Sequence, residues 1–452
     1  MNMEENRLLK QIPLYTLNNT RKQGENQRPL CYNLVLIKFS SFILSFGRDF
    51  TIDHEFKLSK NKEVLNLGNT ASKELPLVAG VTVSKVETKR DWRIFINLPW
   101  LLYKNDPNWV PPLKSDMWNT VNPKKNALMK LGPYQYFIAW SQGRPVGRIG
   151  TGIDEKLNRE KNKKEGYITL FESIEDYEVA KSLFDAVVQW QKERGIHSIT
   201  GPQSPTNGDD YRGLLIKGFD SMPVLLNSYN PPYYQEFFDR YGFKKDFDRF
   251  AFYYDLSKPV TERFEQNVER LKQRYRFITR QLNLKKLDEE LVGIHRLLVR
   301  SWPEEWPDMV PPGMSEIQDE VNQLLPIADQ ELLVVAENEA GHIVGLAIAI
   351  PDYNQVLKRL NGRIFPFGFI KFLWYKRKVT GARAFILMVD PDYHKKGVSA
   401  AMYLQLFKAG LKKGYKYGEG STIHEFNTKM VNDAMRAGGD LYKIYRIYRL
   451  DF

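Results

Sequence analysis

Phe385-Ile386-Leu387-Met388-Val389, then Asp390-Pro391-Asp392-Tyr393, then His394-Lys395-Lys396-Gly397-Val398-Ser399-Ala400 follow one another in the chain. The first five residues are an apolar strand and the next four break it. The last seven run straight into an apolar-periodic stretch that reads as a helix from Val398 to Lys413. A strand, a tight loop and a helix start in this order aim several unpaired backbone N–H groups at one point, at the positive end of the helix dipole. That is a cradle for an anion. Gly397 leaves out a Cβ where a phosphate must come close, the small Ser399 and Ala400 keep the wall open, and Lys395 and Lys396 supply counter-charge. On this loop alone, a plain strand-to-helix turn that uses glycine for geometry is the competing reading. The pattern GxxxxGK[ST] is absent, so the loop is not a Walker motif.

Moving outward from the loop, the chain repeats itself at an offset near 197. Lys89-Arg90-Asp91 and Lys286-Leu287-Asp288 each open an apolar-periodic helix after a strand-like stretch, Val81 to Val86 and Arg276 to Leu282. Tyr136 to Trp140 with Pro145 to Ile153, and Leu332 to Ala336 with Ile343 to Ile350, read as hairpins, and their Val-Gly pairs lie 198 apart. Asn230 and Asn427, 197 apart, each precede by twelve residues a glycine, Gly242 and Gly439, and then a final strand. Three registers that agree within one residue indicate two copies of one fold, joined near Ser257-Lys258-Pro259. Each copy reads strand, helix region, hairpin, strand, helix, strand, helix, strand, which is a mixed α/β sheet. In the second copy helices are expected over 286–301, 315–327 and 428–437. The expected organisation is an extension over 1–75, a first domain over 76–257 and a second over 258–452.

Composition is consistent with this. The 452 residues, 42% hydrophobic with 26 Phe, 24 Tyr and 9 Trp, suffice for two or three aromatic-rich cores. A single cysteine, Cys31, excludes an internal disulfide framework and a cysteine-rich metal site, and six scattered histidines offer no metal spacing, so no metal is expected. A cytoplasmic location fits that cysteine usage. The net charge of +12 favours acidic partners or is a solvated basic surface, and no specific nucleic-acid signature accompanies it. No stretch reaches the roughly 18 apolar residues of a membrane span; Cys31 to Phe46, the nearest, is interrupted by Lys38. Residues 1–75 are expected to be poorly ordered and dispensable.

The loop 394–399 also resembles the coenzyme-A signature of the GNAT acyltransferase superfamily, Gln/Arg-x-x-Gly-x-Gly/Ala after the fourth strand. The central glycine matches, while His394 and Ser399 depart from the outer positions. Trp109-Val110-Pro111-Pro112-Leu113, Tyr229-Asn230-Pro231-Pro232-Tyr233-Tyr234, Asn361 to Gly368 and Tyr442 to Tyr448 resemble a group of largely uncharacterised bacterial GNAT-like proteins, over roughly 80–452. The resemblance implies two tandem GNAT-like folds. It also implies that acetyl-coenzyme A or another acyl-coenzyme A serves as co-substrate, with pyrophosphate on the backbone of 395–399 and pantetheine between the fourth and fifth strands. The expected cofactor residues are Met388, Val389, His394, Lys395, Lys396, Gly397, Val398, Ser399, Ala400 and Asn427.

The reaction so implied is attack of an amine, from a small molecule or a peptide, on the thioester. It needs orientation, an oxyanion donor, a base for the ammonium and an acid for the leaving thiolate. Backbone N–H near Met388 or Val389 serves the carbonyl. Glu425 and Glu419 are the base candidates by position, with His424 the alternative to Glu425; alternation puts His424 and Glu425 on opposite faces and favours Glu425, which shares a face with Asn427. The family's usual acid, a tyrosine about four residues before the glycine closing the last helix, falls here on Ala434 or Met435, and in the first copy on Phe238. Tyr442 or Tyr445 on the last strand is the substitute.

In the first copy the central strand, Tyr167 to Phe171, leads into Glu172-Ser173-Ile174-Glu175-Asp176-Tyr177, acidic and without glycine, so the phosphate cradle is expected to be lost there. The loop Gly201 to Arg212 then suits an acceptor pocket. Residues 364–378, aromatic and basic, read first as cover over the inter-domain core and second as a peripheral membrane contact. The function read from all this is an N-acyltransferase with an unidentified amine acceptor. A non-catalytic acyl-coenzyme A-binding protein and a tRNA-dependent aminoacyl transferase on a duplicated frame stand as alternatives.

Overall fold

The computed structural model describes residues 80–452 apart from positions 127, 207, 209, 259, 304, 305 and 366. The expectations for residues 1–75 lie outside the described residues. The first repeat runs β1 (Val81–Lys85), α1 (Lys89–Leu102), α2 (Lys114–Thr120), β2 (Tyr134–Ser141), β3 (Arg144–Gly152), α3 (Glu155–Glu160) and β4 (Gly166–Ser173). It continues with α4 (Tyr177–Lys192), β5 (Ser198–Gly201), β6 (Leu214–Lys217), α5 (Tyr233–Tyr241) and β7 (Lys244–Asp255). The second runs α6 (Glu262–Tyr275), β8 (Phe277–Gln281), α7 (Leu287–Ser301), α8 (Met314–Leu324), β9 (Leu333–Asn338), β10 (Ile343–Pro351) and α9 (Asn354–Leu360). It closes with α10 (Gly368–Tyr375), β11 (Gly381–Val389), α11 (Val398–Lys412), β12 (Tyr417–His424), α12 (Thr428–Arg436) and β13 (Asp440–Asp451).

Each repeat is a sheet covered on both faces by helices, the layering that buries a mixed sheet. In the first, α4 lays Val179, Leu183, Phe184 and Val187 on one face, and α1 lays Phe95 and Ile96 on the other. In the second, α11 contributes Val398, Ala401 and Met402, and α7 contributes Leu291, Ile294 and Leu297. The repeated Val-Gly pair has a steric reason. A Cβ on Gly147 would stand 2.9 Å from Leu183 Cδ1, and one on Gly345 would stand 2.8 Å from Val398 Cγ1. Glycine at both places lets the covering helix reach the sheet.

The two sheets are one. Strand order is β1-β2-β3-β4-β5-β13-β7-β12-β11-β10-β9-β8, with β6 paired to β13. The last strand of each repeat is therefore inserted in the other repeat's sheet: β13 lies against β5, and β7 against β12. β7 and β13 pair antiparallel at the centre, from Asp440↔Tyr253 to Arg449↔Lys244. The chain thus crosses between the sheets after each repeat, and groups from both repeats meet around β12 and β13.

Three expected features change. The helix expected over 315–327 stops at Leu324: Leu325 still has helical backbone and bonds Val321 O, but Pro326 has no N–H to continue the ladder. β4 runs through Glu172 to Ser173, so Glu172 is part of a strand. Its carboxylate is largely covered and accepts from Tyr103 Oη (2.5 Å) and Tyr234 Oη (3.0 Å), with Arg148 at 3.6 Å. Helix α6 had no counterpart in the reading of the sequence. Its end signals are present, Thr261 capping Phe264 N and acidic residues in the first turn, but its apolar stripe is thin, with Val268 the one buried residue.

Candidate active site

β11 and β12 run parallel and are paired from Gly381↔Tyr417 to Ala384↔Gly420, where their register ends. Beyond that point β11 stays bonded to β10 as far as Val389↔Gly345, while β12 stays with β7, its partner from Tyr417↔Asp255 on, through Ile423↔Phe250 and His424↔Arg249. The strands part into a wedge, and the edge of β11 from Phe385 to Val389 is left without a strand partner. Residues 385–389 are half-buried. Ile386 and Met388 face the α7 core, and Leu387 and Val389 face the α11 core.

At the mouth of the wedge the loop expected to hold an anion starts α11. Gly397 is the N-cap, at φ +84°, and supplies no side-chain cap, so the first N–H groups of the helix point outward with no capping partner. A Cβ on Gly397 would meet Leu271 Cδ1 of α6 at 2.6 Å. Lys395 also has a left-handed φ, +62°, and is exposed with His394, whose Nε2 lies 3.1 Å from Val389 O. Lys396 Nζ sits 4.9 Å over the ring of Tyr393. Ser399 and Ala400 are half-buried and Val398 is buried. In the first repeat the matching helix α4 is capped by its own carboxylate, Asp176 accepting from Glu178 N at 2.9 Å. A negative group occupies the place a phosphate would take.

At the apex of the wedge the fold assembles a buried polar cluster from both repeats. Glu419 of β12, 1% exposed, accepts from Asn227 Nδ2 at 2.6 Å and from the hydroxyls of Ser421 and Tyr442. Asn227 comes from the first repeat, Tyr442 from β13. Arg383, directly across from Glu419 on β11, donates to Ser421 Oγ (2.9 Å) and Leu225 O (3.0 Å). A carboxylate offers about four acceptor positions, and three are filled here. Burial, and next the charge of Glu419, push the Tyr442 hydroxyl far above its ordinary pKa, so it keeps its proton. Burial lowers neighbouring Lys443 to about 8. Tyr445 Oη is buried with no hydrogen-bond partner among the described residues.

Of the proposed bases and acid, Glu419 and Tyr442 are brought together and Glu425 is not. β12 ends at His424, and Glu425 lies in the following turn with Oε2 bonded to Lys245 Nζ at 2.7 Å. Asn427 caps α12, accepting from Met430 N at 3.1 Å. His424 is buried and stacks on Phe247 (4.2 Å), with Trp306 on a parallel plane 6.4 Å away. Trp306 belongs to a segment after α7 that is anchored by Asp308, buried between Arg212 (3.2 Å) and Arg249 (3.6 Å). The reading of the sequence missed this anchor, because its three members lie far apart in the chain and none sits in a motif.

Burial works to raise the Asp308 carboxyl, but Arg212, Arg249 and His424 outweigh it and hold it below its usual range. Asp308→Ala leaves two buried guanidinium groups without it and is expected to cost about 3–5 kcal/mol, read as a fall in the midpoint of thermal unfolding. The sign with pH follows from the lowered value. The contribution is present above the ordinary aspartate range and is lost as pH falls through the folded value.

A surface hollow of about 640 Å³, lined by Arg280, Asn283, Lys286, Glu290 and His342, lies at the β8 edge of the sheet, four strands from Glu419.

The wedge between two parallel strands, the uncapped helix beyond it and the duplicated sheet define a tandem GNAT fold. Among solved structures the chain is similar to a tandem GNAT protein from the clavulanic acid biosynthesis pathway, with TM-score 0.50 and 11% identity over 82% of this chain and 98% of that one. It is also similar to a GCN5-related glucosamine N-acetyltransferase region of a fungal multi-domain β-N-acetylglucosaminidase, with TM-score 0.52 and 15% identity over 84% of this chain and 39% of that one. No protein-family model matches. The chain is 30% identical over 375 residues to Protein YghO of Escherichia coli (strain K12), across 80% of this chain and 93% of that protein. It is 29% identical over 378 residues to the bacterial ceramide synthase of Caulobacter vibrioides (strain NA1000 / CB15N), across 82% and 97%. The chain belongs to the family of Protein YghO, and its fold is that of tandem GNAT proteins.

Proposed function

We propose that the protein is an N-acyltransferase that moves a fatty acyl group from acyl-coenzyme A to the primary amine of a long-chain amino alcohol. The observation that carries this reading is the parted β11–β12 wedge, which has an uncapped helix start at one end and the Glu419–Tyr442 pair at the other. The relative named as a ceramide synthase supports the choice of acyl group and acceptor, since a ceramide is an N-acylated sphingoid base.

In this reading the backbone N–H groups of Val398, Ser399 and Ala400 hold the pyrophosphate, with Lys395 and Lys396 adding charge. The acyl arm lies along Phe385 to Val389, whose free edge offers N–H groups to the thioester oxygen. The fourth acceptor position of Glu419 takes a proton from the substrate ammonium. The freed amine attacks the carbonyl carbon, the C–S bond breaks, and the thiolate takes the Tyr442 proton as Glu419 passes its own proton to Tyr442, while the second proton that the attacking nitrogen loses goes to solvent. Thioester and ammonium give amide, free thiol and one released proton.

Purified protein with palmitoyl-coenzyme A and sphinganine is expected to release free thiol and form the amide by mass spectrometry, with acetyl-coenzyme A much slower. Thiol release with acetyl-coenzyme A and short polyamines, but none with the long-chain pair, would reverse the substrate class. No release with any pair would leave a binding protein.

A further inference from the structure

Residues 364–378, whose first reading was cover over the core between the repeats, stand on the surface. α10 has no buried residue. It rests on α9 through Phe372 and Tyr375, which pack beside Val356 and Leu360. Its other apolar side chains and those just before it point outward: Phe365 is 82% exposed, Phe367 71%, Ile370 64% and Trp374 65%. Phe367, Ile370 and Trp374 are three and four residues apart, so they share one stripe of the helix. A cluster of large exposed aromatics is unusual on a surface that only meets water.

Charge distinguishes this patch from an ordinary protein-docking surface. Between Asp352 and Asp390 the chain has no acidic residue and eight Lys or Arg. Arg363, Lys371, Lys376, Arg377 and Lys378 are exposed around the apolar stripe, and Lys378 Nζ lies 5.6 Å over the Trp374 ring. A cation ring around protruding aromatics matches the headgroup and acyl layers of an anionic bilayer. α10 has eight residues, about 12 Å of helix, enough to lie in the interface and too short to cross it. Among the described residues no helix is long and apolar enough to span.

We propose that α10 and the basic turn after it are a peripheral docking surface for a membrane rich in anionic lipid. Phe365, Phe367, Ile370 and Trp374 enter the acyl boundary, and Lys371, Lys376, Arg377 and Lys378 pair with headgroup phosphates. The placement serves substrates that live in a bilayer. β11 starts three residues after Lys378, and Arg383, across from Glu419, is five residues on, at most about 17 Å of extended chain. The docking is read without turnover, so its failure leaves the acyl-transfer reading standing, and the reverse.

The test is co-sedimentation of the full chain with phosphatidylcholine vesicles made with and without phosphatidylglycerol. Wild-type protein is expected to bind the anionic vesicles and to lose binding as salt shortens the screening length from about 10 Å at 0.1 M to about 3 Å at 1 M. Phe365→Ser, Phe367→Ser and Trp374→Ser together should weaken binding about a hundredfold or more. Each Lys→Glu among Lys371, Lys376 and Lys378 should weaken it at least about fivefold. The unfolding midpoint of each variant, expected unchanged because these side chains are exposed, separates lost docking from lost fold. Should the triple variant misfold, Trp374→Phe removes one emitter, and the difference in quenching by brominated lipid reads whether Trp374 enters the bilayer. Wild-type protein left in the supernatant with anionic vesicles would overturn the proposal, as would undiminished binding by the folded triple variant. A concentration-dependent dimer that the triple variant dissolves would assign the patch to a second copy instead.

Discussion

Gly397→Glu is expected to abolish coenzyme A binding in a calorimetric titration. Three effects act together at this residue. Its φ of +84° is a conformation side chains with a Cβ rarely adopt, and the added Cβ would meet Leu271 Cδ1 at 2.6 Å, so the helix start must shift. The new carboxylate would sit at the positive end of α11, where the phosphates are proposed to bind, and would be held there in their place. Lys396→Glu separates charge from backbone strain, since Lys396 has an ordinary backbone and its ammonium only covers Tyr393 and Tyr275. It should weaken binding several-fold while the unfolding midpoint stays put. Full affinity in folded Gly397→Glu would remove the phosphate from this loop. Unchanged binding when Asp176→Ala uncaps α4 is also expected, since the run from Glu172 to Asp176 that leads into that helix still carries Glu172 and Glu175 and has no glycine to let a phosphate approach.

What could be read from the sequence was whatever is local or repeated. The strand-loop-helix around Gly397 was legible because glycine, lysines and an apolar helix lie within seven residues. The duplication was legible because Gly147 and Gly345 answer the same steric demand. The exchange of β7 and β13 was not, since each strand has the same alternating pattern whichever sheet it joins, and pairing across repeats leaves no mark in either copy. Glu419 was visible only as one of two carboxylates on a strand-like segment, and alternation set Glu425 against His424 without separating it from Glu419, an even number of residues away. What sets the surroundings of the two apart is Asn227, some 190 residues earlier in the chain, and Tyr442 from the inserted strand, both bonded to Glu419. The segment 364–378 was misjudged by the rule that apolar stretches are core, which weighs composition and not the side from which a short helix is supported.

Glu419→Gln is expected to lower turnover by roughly a hundred- to ten-thousandfold with coenzyme A affinity nearly intact, the range typical of losing a general base. The substitution keeps shape, and its amide oxygen can still accept from Asn227 and Ser421, but its amide nitrogen is a donor that faces the Tyr442 hydroxyl, and the group cannot take a proton from an ammonium. Tyr442→Phe should cost less at a given pH, because thiolate can leave unprotonated, and the loss should be greatest for substrates whose departing group is more basic than a thiol. Using the two variants together distinguishes chemistry from packing. If Glu419 and Tyr442 pass one proton between them, the double variant should be little slower than Glu419→Gln alone, whereas independent structural effects would multiply. Glu425→Gln is the control, in the turn just past the end of β12. It breaks the pairing with Lys245, 20% and 39% exposed respectively, a contact of the kind worth little on a surface. Its turnover should stay near wild type. A collapse in Glu425→Gln with full activity in Glu419→Gln would move the base to the turn after β12 and leave the buried cluster a purely structural joint between the two repeats.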